Sequence, residues 1–541
     1  MKRLGERKKK WIERTAKNNR SYKLYLYNRF FMFLLLVLVQ IVAYVFAAYL
    51  IVYESPIAFG LQIAIAVLEL VMLLYLINKN DRAASKLNWI LLILLAPVVG
   101  VVGYLLYGEG KPTRKMQKKI DVSRAEIRAR ITEHYTQKGI DGTQTTENVH
   151  GCDRRDVGVA QYLSACGYPS YYGDEVVYFE SGEKMFPNML EAIEGAEQYI
   201  LLDYFIIAHG KMWEEILRRI LEKAEQGIRV RILYDDFGCM MTLPPKYDRY
   251  LESLHENIRC MTFNNVVPIF AVRMNNRDHR KILVVDGKTA FTGGVNLADE
   301  YINEKQRFGY WKDTGVQITG ASVRSFVEMF FYIWNAFRED KEDVIAYLPP
   351  TSMKKAEKTS GTMCVPYDDS PLDKTSVGEF VYADMIQRAK RYIYVFTPYL
   401  VLDDFLRTEL QMAAARGVDV RIVTPGIPDK KAIYRVTRAN YPALMKAGVK
   451  IYEYTPGFIH AKSMVCDDEY AAVGTINLDY RSLYFHFENA VYFTDKDAVA
   501  AVKRDVESTF AVSKLCTPQN TKRSPFGRLI DALLRVFETL F

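Results

Sequence analysis

The sequence has 541 residues, half of them hydrophobic and a quarter charged, which is long enough for two globular lobes and an appended segment. Its net charge of +8 comes from residues 1–29, where eleven Lys and Arg oppose two Glu, so the other 512 residues sum to −1. A broadly basic surface for nucleic acid is therefore excluded. The seven cysteines contain no CxxC pair, which argues against a disulfide framework and a zinc site.

Three apolar segments follow the basic tail and predict a transmembrane region over residues 30–107: residues 30–53, 57–77 and 87–107. Each is long enough to cross the roughly 30 Å hydrocarbon core as a helix. Glu69 interrupts the second segment and is expected to face a partner helix rather than to mark a functional position. The third segment either crosses the membrane or, because of Pro97 and its glycines, re-enters it. The chain is thus predicted to be a multi-pass protein of the cell membrane, and the side that faces the catalytic part stays open.

The rest of the chain indicates an internal duplication of about 190 residues. Residues 224–233 (AEQGIRVRIL) align with residues 414–423 (AARGVDVRIV), and each follows a strand–helix pattern typical of α/β folds. The predicted fold class is α/β, with two similar lobes behind the transmembrane helical region. The predicted divisions are a cytoplasmic tail at 1–29, a connector at 108–157, a first lobe at 158–349, a linker at 350–378, a second lobe at 379–515 and an amphipathic helix at 516–541.

The C-terminal segment has apolar residues at a helical period from Phe526 to Phe541, with Ser524 as the predicted N-cap. Such a stripe can lie on a membrane surface or pack on the protein. Packing on the protein is the favoured prediction.

The most specific pattern is His279-x-Lys281-x4-Asp286, which recurs 181 residues later as His460-x-Lys462-x4-Asp467. In both copies a glycine follows the Asp by seven residues and an Asn by ten, at Gly293 and Asn296 and at Gly474 and Asn477. The apolar, β-branched residues after each Lys predict a strand, so the His and the Lys of a copy share one face. Each Asp is either a turn residue at the strand end or a catalytic group.

This set of residues suits transfer at a phosphodiester without a metal or other cofactor. Such a reaction needs a nucleophile, an acid for the leaving oxygen, and cationic donors for the phosphoryl oxygens. One imidazole can attack phosphorus while the other donates a proton, and the two exchange acid and base roles in the second step. Lys281, Lys462, Asn296 and Asn477 would bind the phosphoryl oxygens. Spacing alone does not tell which His attacks.

The two HxKxxxxD motifs resemble those of the phospholipase D superfamily and, within it, the bacterial cardiolipin synthases. The resemblance extends over nearly the whole chain, including WILLILLAPVVGVVGYLLYG at 89–108, YWKDTGVQITG at 310–320 and the block at 415–482. It implies His279 as nucleophile and His460 as acid. It also implies Asp313 and Glu488, 34 residues downstream of His279 and 28 downstream of His460, as the carboxylates that orient the two imidazoles. It also implies phosphatidylglycerol in a membrane as the substrate and cardiolipin with glycerol as the products.

Three alternatives stay open at this point: a phospholipase D hydrolase, a nuclease of the same superfamily, and a catalytically idle membrane scaffold. Near-neutral lobes and apolar N-terminal segments disfavour the nuclease, and two complete motifs disfavour the scaffold. The remaining histidines are predicted to be ordinary surface or packing residues: His134, His150, His209, His255 and His486.

Overall fold

The computed structural model describes residues 42, 56–79, 83–108, 113–138, 157–265, 275–349, 362–373, 376–536 and 538. The chain forms two compact units, residues 1–110 with 266–275 and residues 111–265 with 276–541. The predicted basic tail and, apart from Val42, the first predicted membrane segment lie outside the described residues.

Among its described residues, the N-terminal unit contains three apolar helices, α1 (Pro56–Asn78), α2 (Ala83–Leu95) and α3 (Pro97–Tyr107). Within the described ranges, one segment, Phe59–Asn78 of α1, is long and apolar enough to cross a membrane. The second predicted segment therefore has a matching helix. Several membrane-spanning helices were predicted, whereas the described residues contain one candidate.

The third predicted segment is not one continuous helix, because the chain bends at Ala96. Pro97 begins α3, as expected where proline cannot continue a helix. In a straight helix, Ile93 and Gly100 would be about 10 Å apart along the axis. Here a Cβ added to Gly100 would lie 2.6 Å from the Cα atom of Ile93, so α2 and α3 fold against each other and only glycine fits at the contact. Residues 87–107 therefore do not form one straight helix.

The first part of the second unit runs from residue 113 to residue 349. Its helices are α4 (Arg114–Gln137), α5 (Val157–Ala165), α6 (Gly182–Glu194), α7 (Lys211–Glu225), α8 (Asp236–Cys239), α9 (Tyr247–Glu252) and α10 (Val323–Phe337). Its strands are β1 (Tyr171–Tyr172), β2 (Glu175–Phe179), β3 (Tyr199–Tyr204), β4 (Arg229–Asp235), β5 (Ile258–Phe263), β6 (Lys281–Val285), β7 (Thr289–Gly293), β8 (Tyr310–Lys312) and β9 (Gly315–Thr319).

The second part runs from residue 362 to the C-terminal helix. Its helices are α11 (Val377–Arg388), α12 (Asp404–Ala415), α13 (Lys431–Lys446), α14 (Tyr480–Tyr484), α15 (Lys496–Ala511) and α16 (Pro525–Val536). Its strands are β10 (Met363–Asp369), β11 (Tyr392–Phe396), β12 (Asp419–Pro425), β13 (Lys450–Tyr454), β14 (Gly457–Ile459), β15 (Ser463–Cys466), β16 (Tyr470–Gly474), β17 (Glu488–Phe493) and β18 (Ser513–Leu515).

The two main sheets have the same topology, which confirms the predicted duplication. The first has the order β2-β9-β7-β6-β3-β4-β5, and the second repeats it as β10-β17-β16-β15-β11-β12-β13. In each, three strands are parallel (β3, β4 and β5, or β11, β12 and β13) and the motif hairpin is antiparallel to them. The second sheet gains β1 at one edge and β18 at the other.

The two lobes share one hydrophobic core. It contains Phe330 and Trp334 of α10, Val499 and Val502 of α15, and buried residues of both main sheets. A short parallel pair between β8 and β14 also joins the lobes. The lobes therefore form a single body, and their facing strand ends hold the motif residues.

The division between lobes differs from the predicted one at three places. Strand β10 lies inside the predicted linker 350–378 and pairs with β17, so part of that segment belongs to the second lobe. Helix α5 and strand β1, placed by sequence in the first lobe, pack in the core and sheet of the second. The predicted connector contains α4, whose Ile120, Ile127 and Ile131 are buried in the shared core. Local sequence patterns cannot reveal the lobe to which these segments belong, because that depends on which sheet edge or core, distant in the sequence, is free to pair with them.

Candidate active site

Each motif lies at the start of a β-hairpin, as the sequence predicts. Asp286 and Gly287 connect β6 to β7 with φ values of 53° and 63°, and Asp467 and Asp468 connect β15 to β16 with 54° and 61°. Two successive residues with positive φ are typical of the tight hairpin turn that matches strand twist. The side chain between the His and the Lys points the other way. In the first copy it is Arg280, fully buried and paired with Asp203 and Asp278.

The main chain of each motif histidine is bonded to the opposite lobe. His279 donates its N–H to the carbonyl of Phe487 at 2.8 Å, and His460 donates its N–H to the carbonyl of Lys312 at 2.7 Å. The residues that follow these carbonyls are Glu488 and Asp313. Each of these two main-chain hydrogen bonds therefore brings a carboxylate of one lobe beside the histidine of the other.

The two imidazoles are paired crosswise with these carboxylates. Nδ1 of His279 lies 2.8 Å from Oε2 of Glu488, and Nδ1 of His460 lies 2.6 Å from Oδ2 of Asp313. All four side chains are buried. Because each carboxylate takes the Nδ1 side, Nε2 of each ring is left for reaction. The prediction of a carboxylate behind each histidine paired Asp313 with His279 and Glu488 with His460, and this pairing within one lobe is wrong: each carboxylate comes from the other lobe.

The surroundings of the two carboxylates differ. A Cβ on Gly294 would lie 1.9 Å from Oδ1 of Asp313, so this carboxylate fits because residue 294 has no side chain. The equivalent residue of the second copy is Thr475, whose hydroxyl donates to Oε2 of Glu488. The nearly symmetric duplication thus gives each imidazole a distinct partner.

The motif lysines lie buried within the same pair of strands. Nζ of Lys281 donates to the carbonyl of His279 at 2.6 Å. Nζ of Lys462 lies 2.8 Å from Nδ1 of His460 and also donates to the carbonyl of that residue. Burial lowers the pKa of Lys281 to about 8 and that of Lys462 to about 7. Two buried lysines beside the imidazoles favour an anionic ligand, because a nearby negative charge stabilises their protonated form.

The two histidine–carboxylate pairs differ in the protonation state of the carboxylate. Burial opposes the charge on Asp313, but His460 and Lys462 outweigh it and lower its pKa below the usual value, so it is ionised. Burial raises the pKa of Glu488 well above its usual range. Burial and Lys281 lower the pKa of His279 well below its ordinary value, and burial and Lys462 lower that of His460 to about 4. His279 is therefore a neutral imidazole, whereas His460 is backed by an anion that can stabilise an imidazolium.

The motif aspartates lie at the far end of their strands. Asp286 is five residues beyond Lys281, which corresponds to about 17 Å along a strand. Its Oδ2 accepts from Glu197 N at 2.7 Å, and its Oδ1 accepts from Gln198 N and Tyr199 N, both at 2.8 Å.

Asp467 repeats this arrangement in the second lobe. It accepts the main-chain N–H groups of Lys390, Arg391 and Tyr392 at 2.7 to 2.9 Å. The geometry matches the turn interpretation of both aspartates: they fix the start of β3 and of β11 and do not reach the imidazoles. They are positioning residues.

We expect Asp286→Asn to reduce stability and to leave the chemistry of the folded enzyme intact. An amide has one acceptor oxygen and would leave a buried N–H unpaired, a loss of about 1–3 kcal/mol in the free energy of unfolding. Thermal unfolding with turnover per folded molecule measures both effects. Glu197→Gln, at an adjacent exposed side chain, is the matched control and should change little. A large fall in turnover with unchanged stability would restore a catalytic role for Asp286.

The two motif asparagines are buried beyond the hairpins. Asn296 accepts from Ile206 N at 3.0 Å and donates to the hydroxyl of Tyr301 at 2.7 Å. Within the described part of the chain, Oδ1 of Asn477 has no hydrogen-bond partner. Tyr301 in turn contacts the ring of His460 at a centroid distance of 5.4 Å. The phosphoryl contacts of both amides stay a prediction.

His486 was predicted to be an ordinary residue, but it lies in the site. Its ring centroid is 5.5 Å from that of His279, and its Nδ1 is 3.6 Å from Oε1 of Glu488. The signal that sequence reasoning missed is its position two residues before Glu488. Aromatic rings outside the two HxKxxxxD motifs surround the histidines of the site: Phe205 contacts His279, and Trp311 and Phe458 contact His460.

Comparison with known proteins decides the family. The family description "Cardiolipin synthase, PLD-like domain" matches residues 189–310 and 382–510, one segment in each lobe. A second description, "Phospholipase_D-nuclease N-terminal", matches residues 67–109. A cardiolipin synthase of Geobacillus kaustophilus is 31% identical over 466 residues, covering 85% of this chain and 90% of that protein. The chain belongs to the cardiolipin synthase family of the phospholipase D superfamily.

Two further relatives and one solved structure are similar to this chain. An uncharacterised protein of Streptococcus mutans is 40% identical over 469 residues, covering 86% of this chain and 99% of that protein. Cardiolipin synthase 1 of Staphylococcus aureus is 30% identical over 471 residues, covering 85% and 92%. The crystal structure of the phosphatidylserine synthase of Haemophilus influenzae has the same fold at 15% identity, with a TM-score of 0.52 over 68% of this chain and 95% of that one.

Membership of the cardiolipin synthase family confirms the predicted enzyme class, a phospholipase D-type phosphatidyltransferase. The crossed histidine–carboxylate pairs are the part of this chain that can perform such a transfer.

Proposed function

We propose that this enzyme transfers a phosphatidyl group from one phosphatidylglycerol to another and releases glycerol and cardiolipin. The observation that carries the proposal is the buried pair of imidazoles, each held at Nδ1 by a carboxylate of the other lobe, with a lysine beside each. This constellation provides a nucleophile, a proton donor and phosphate-binding cations without any further group.

In the first step, Nε2 of neutral His279 attacks the phosphorus of the first phosphatidylglycerol. The bond from phosphorus to the glycerol oxygen breaks, and that oxygen takes a proton from Nε2 of His460. The bound phosphodiester places a negative charge near His460 and raises its pKa above the value of the empty site, because a nearby opposite charge favours the protonated ring. Ionised Asp313 acts in the same direction. Phosphatidyl–His279 and free glycerol result.

In the second step, the terminal hydroxyl of another phosphatidylglycerol gives its proton to His460, now a base, and attacks the same phosphorus. The phosphorus–nitrogen bond breaks, and His279 returns to its neutral form. Lys281, Lys462, Asn296 and Asn477 bind the phosphoryl oxygens in both steps. Glu488 keeps the proton of His279 on Nδ1, so that Nε2 presents its lone pair to phosphorus.

Attachment to the membrane supplies the acceptor. Helix α1 can hold the chain in the bilayer, and residues 30–53 are a further apolar segment, so we propose a multi-pass protein of the cell membrane. A bilayer presents phosphatidylglycerol hydroxyls at high local concentration, which favours transfer to lipid over transfer to water.

Lipid product analysis tests the proposed function. Purified full-length protein with phosphatidylglycerol as the sole lipid is expected to yield cardiolipin and glycerol in equal amounts. Phosphatidic acid as the main product would identify a hydrolase, and no new lipid would overturn both assignments. The His279→Ala protein is the negative control.

We expect turnover to persist in chelator and to fall when Zn²⁺ is added. His279, His486 and Glu488 offer ligand atoms that all lie within 4.8 Å of one another, so a metal bound there would engage the nucleophile and its carboxylate. Loss of a residue that only hydrogen-bonds to a metal ligand commonly weakens metal binding by roughly 10–100-fold. His486 would itself be a ligand, so His486→Asn should raise the inhibitory Zn²⁺ concentration by at least that factor. Turnover against Zn²⁺ concentration in both proteins measures it. Activity lost in chelator and regained with one metal would contradict the mechanism.

A further inference from the structure

The C-terminal helix α16 packs on the protein, as predicted, but through its polar face. Asp531 is buried and lies 2.7 Å from Nη2 of Arg435 on α13, and the same guanidinium donates to the carbonyl of Gly527 at 3.0 Å. Three residues of the apolar stripe face outward: Phe526 is 71% exposed, and Leu529 and Leu533 are each 57% exposed, whereas Ile530 and Leu534 are half-buried. An amphipathic helix with its apolar side in solvent has an unfilled contact.

A groove of about 660 Å³ lies between α13 and α16, a size within the range of ligand pockets. Its charged lining has six cations and one carboxylate: Arg438, Lys446, Lys522, Arg523, Arg528, Arg535 and Asp531. Apolar side chains, including those of Pro442, Met445 and Ala532, complete it. The groove combines a strong positive charge with apolar walls.

Half of these cations form no ion pair with a residue that the structure describes. Arg438 pairs with Glu453, Arg523 with Asp531 and Arg535 with Glu538. Across the described residues, Lys446, Lys522 and Arg528 form no ion pair; all three are exposed. Like charges gathered without counter-ions repel one another, so an anion bound among them is stabilised.

We infer that the groove and the outer face of α16 together bind anionic phospholipids of the bilayer surface, at a site separate from the catalytic histidines. Phosphate groups would lie among the unpaired cations, and the exposed Phe526, Leu529 and Leu533 would enter the apolar boundary of the leaflet. A helix with Lys and Arg beside an apolar stripe binds membranes in this way, and anionic lipid strengthens the contact.

The same charges argue against a second copy of the chain as the occupant. In a symmetric dimer through α16, each cationic groove would face its own copy, and the like charges would oppose association. A lipid surface supplies both features that the site lacks, negative charge and an apolar layer.

Hydrogen exchange of the full-length chain in nanodiscs tests this inference without relying on turnover. One set of discs contains phosphatidylcholine alone, and the other an equal mixture of phosphatidylcholine and phosphatidylserine. We expect slower exchange in residues 431–446 and 518–536 in the mixed discs. The protein with Lys446→Gln, Lys522→Gln and Arg528→Gln should lose this difference. The measurement records protection from exchange and not lipid product. The lipid-binding inference can therefore be contradicted while the proposed function holds, and the proposed function can be contradicted while the lipid-binding inference holds.

A matched control removes three exposed cations elsewhere, with Lys390→Gln, Lys496→Gln and Arg504→Gln, and should keep the full protection. A second variant, Leu529→Ser with Leu533→Ser, should reduce protection in both discs. The inference is overturned if the two lipid compositions protect equally, if the groove variant behaves like its control, or if inorganic phosphate in neutral discs reproduces the effect.

Discussion

His279→Ala is expected to abolish the covalent phosphatidyl–enzyme, whereas His460→Ala is expected to accumulate it on a substrate with a good leaving group. In the first variant the atom that bonds phosphorus is gone. In the second, His279 can still attack, but the intermediate cannot break down quickly without its base. Loss of general acid–base catalysis typically costs roughly 10²–10⁴-fold per step, so both variants should be nearly inactive on phosphatidylglycerol.

Steady-state rates therefore cannot distinguish the two variants, and trapping must. A leaving group of low pKa needs little help from His460, so acid-labile adduct should appear on His279 in the His460→Ala protein. Mass spectrometry of rapidly quenched reactions gives both the adduct and its position. An adduct on His460 in the His279→Ala protein would reverse the two roles. No adduct in either variant would favour direct displacement.

The second large effect is expected at the crossed carboxylates. In a serine protease triad, replacing the Asp that orients the histidine by Asn lowers kcat by about 10⁴-fold, and Asp313→Asn removes the same kind of partner from His460. Because Asp313 is the anion that supports the imidazolium, its loss should mimic His460→Ala: a good leaving group restores formation of the phosphatidyl–enzyme but not its breakdown. Glu488→Gln disturbs the nucleophile itself, so a better leaving group should not rescue it.

The measurement is the rate of the first step, seen as the burst of released leaving group, for both variants on phosphatidylglycerol and on an activated analogue. Asp286→Asn is the matched control, since Asp286 is also a buried motif carboxylate but binds only main-chain N–H groups. Equal rescue of Asp313→Asn and Glu488→Gln would show that the two histidines are chemically equivalent. Full activity in either variant would remove that carboxylate from the mechanism.

The sequence alone determined those parts of the molecule that depend on local pattern. The apolar, β-branched residues after each motif lysine predicted the strands of the motif hairpins at Lys281–Gly293 and Ser463–Gly474, because a hairpin is fixed by its own strands and turn. The repeated motif predicted two similar lobes and the histidines and lysines of the site. The family resemblance singled out Asp313 and Glu488.

The tertiary structure decided what depends on contacts between distant segments. It paired each histidine with the carboxylate of the other lobe and brought His486 beside His279. It placed Asp286 and Asp467 at strand ends far from the lysines. A periodic apolar stripe showed that α16 is amphipathic, but only the ion pair between Arg435 and Asp531 determines which face packs on the protein. Period and spacing describe one segment at a time, whereas these contacts arise from the way two lobes and a terminal helix fill a shared space.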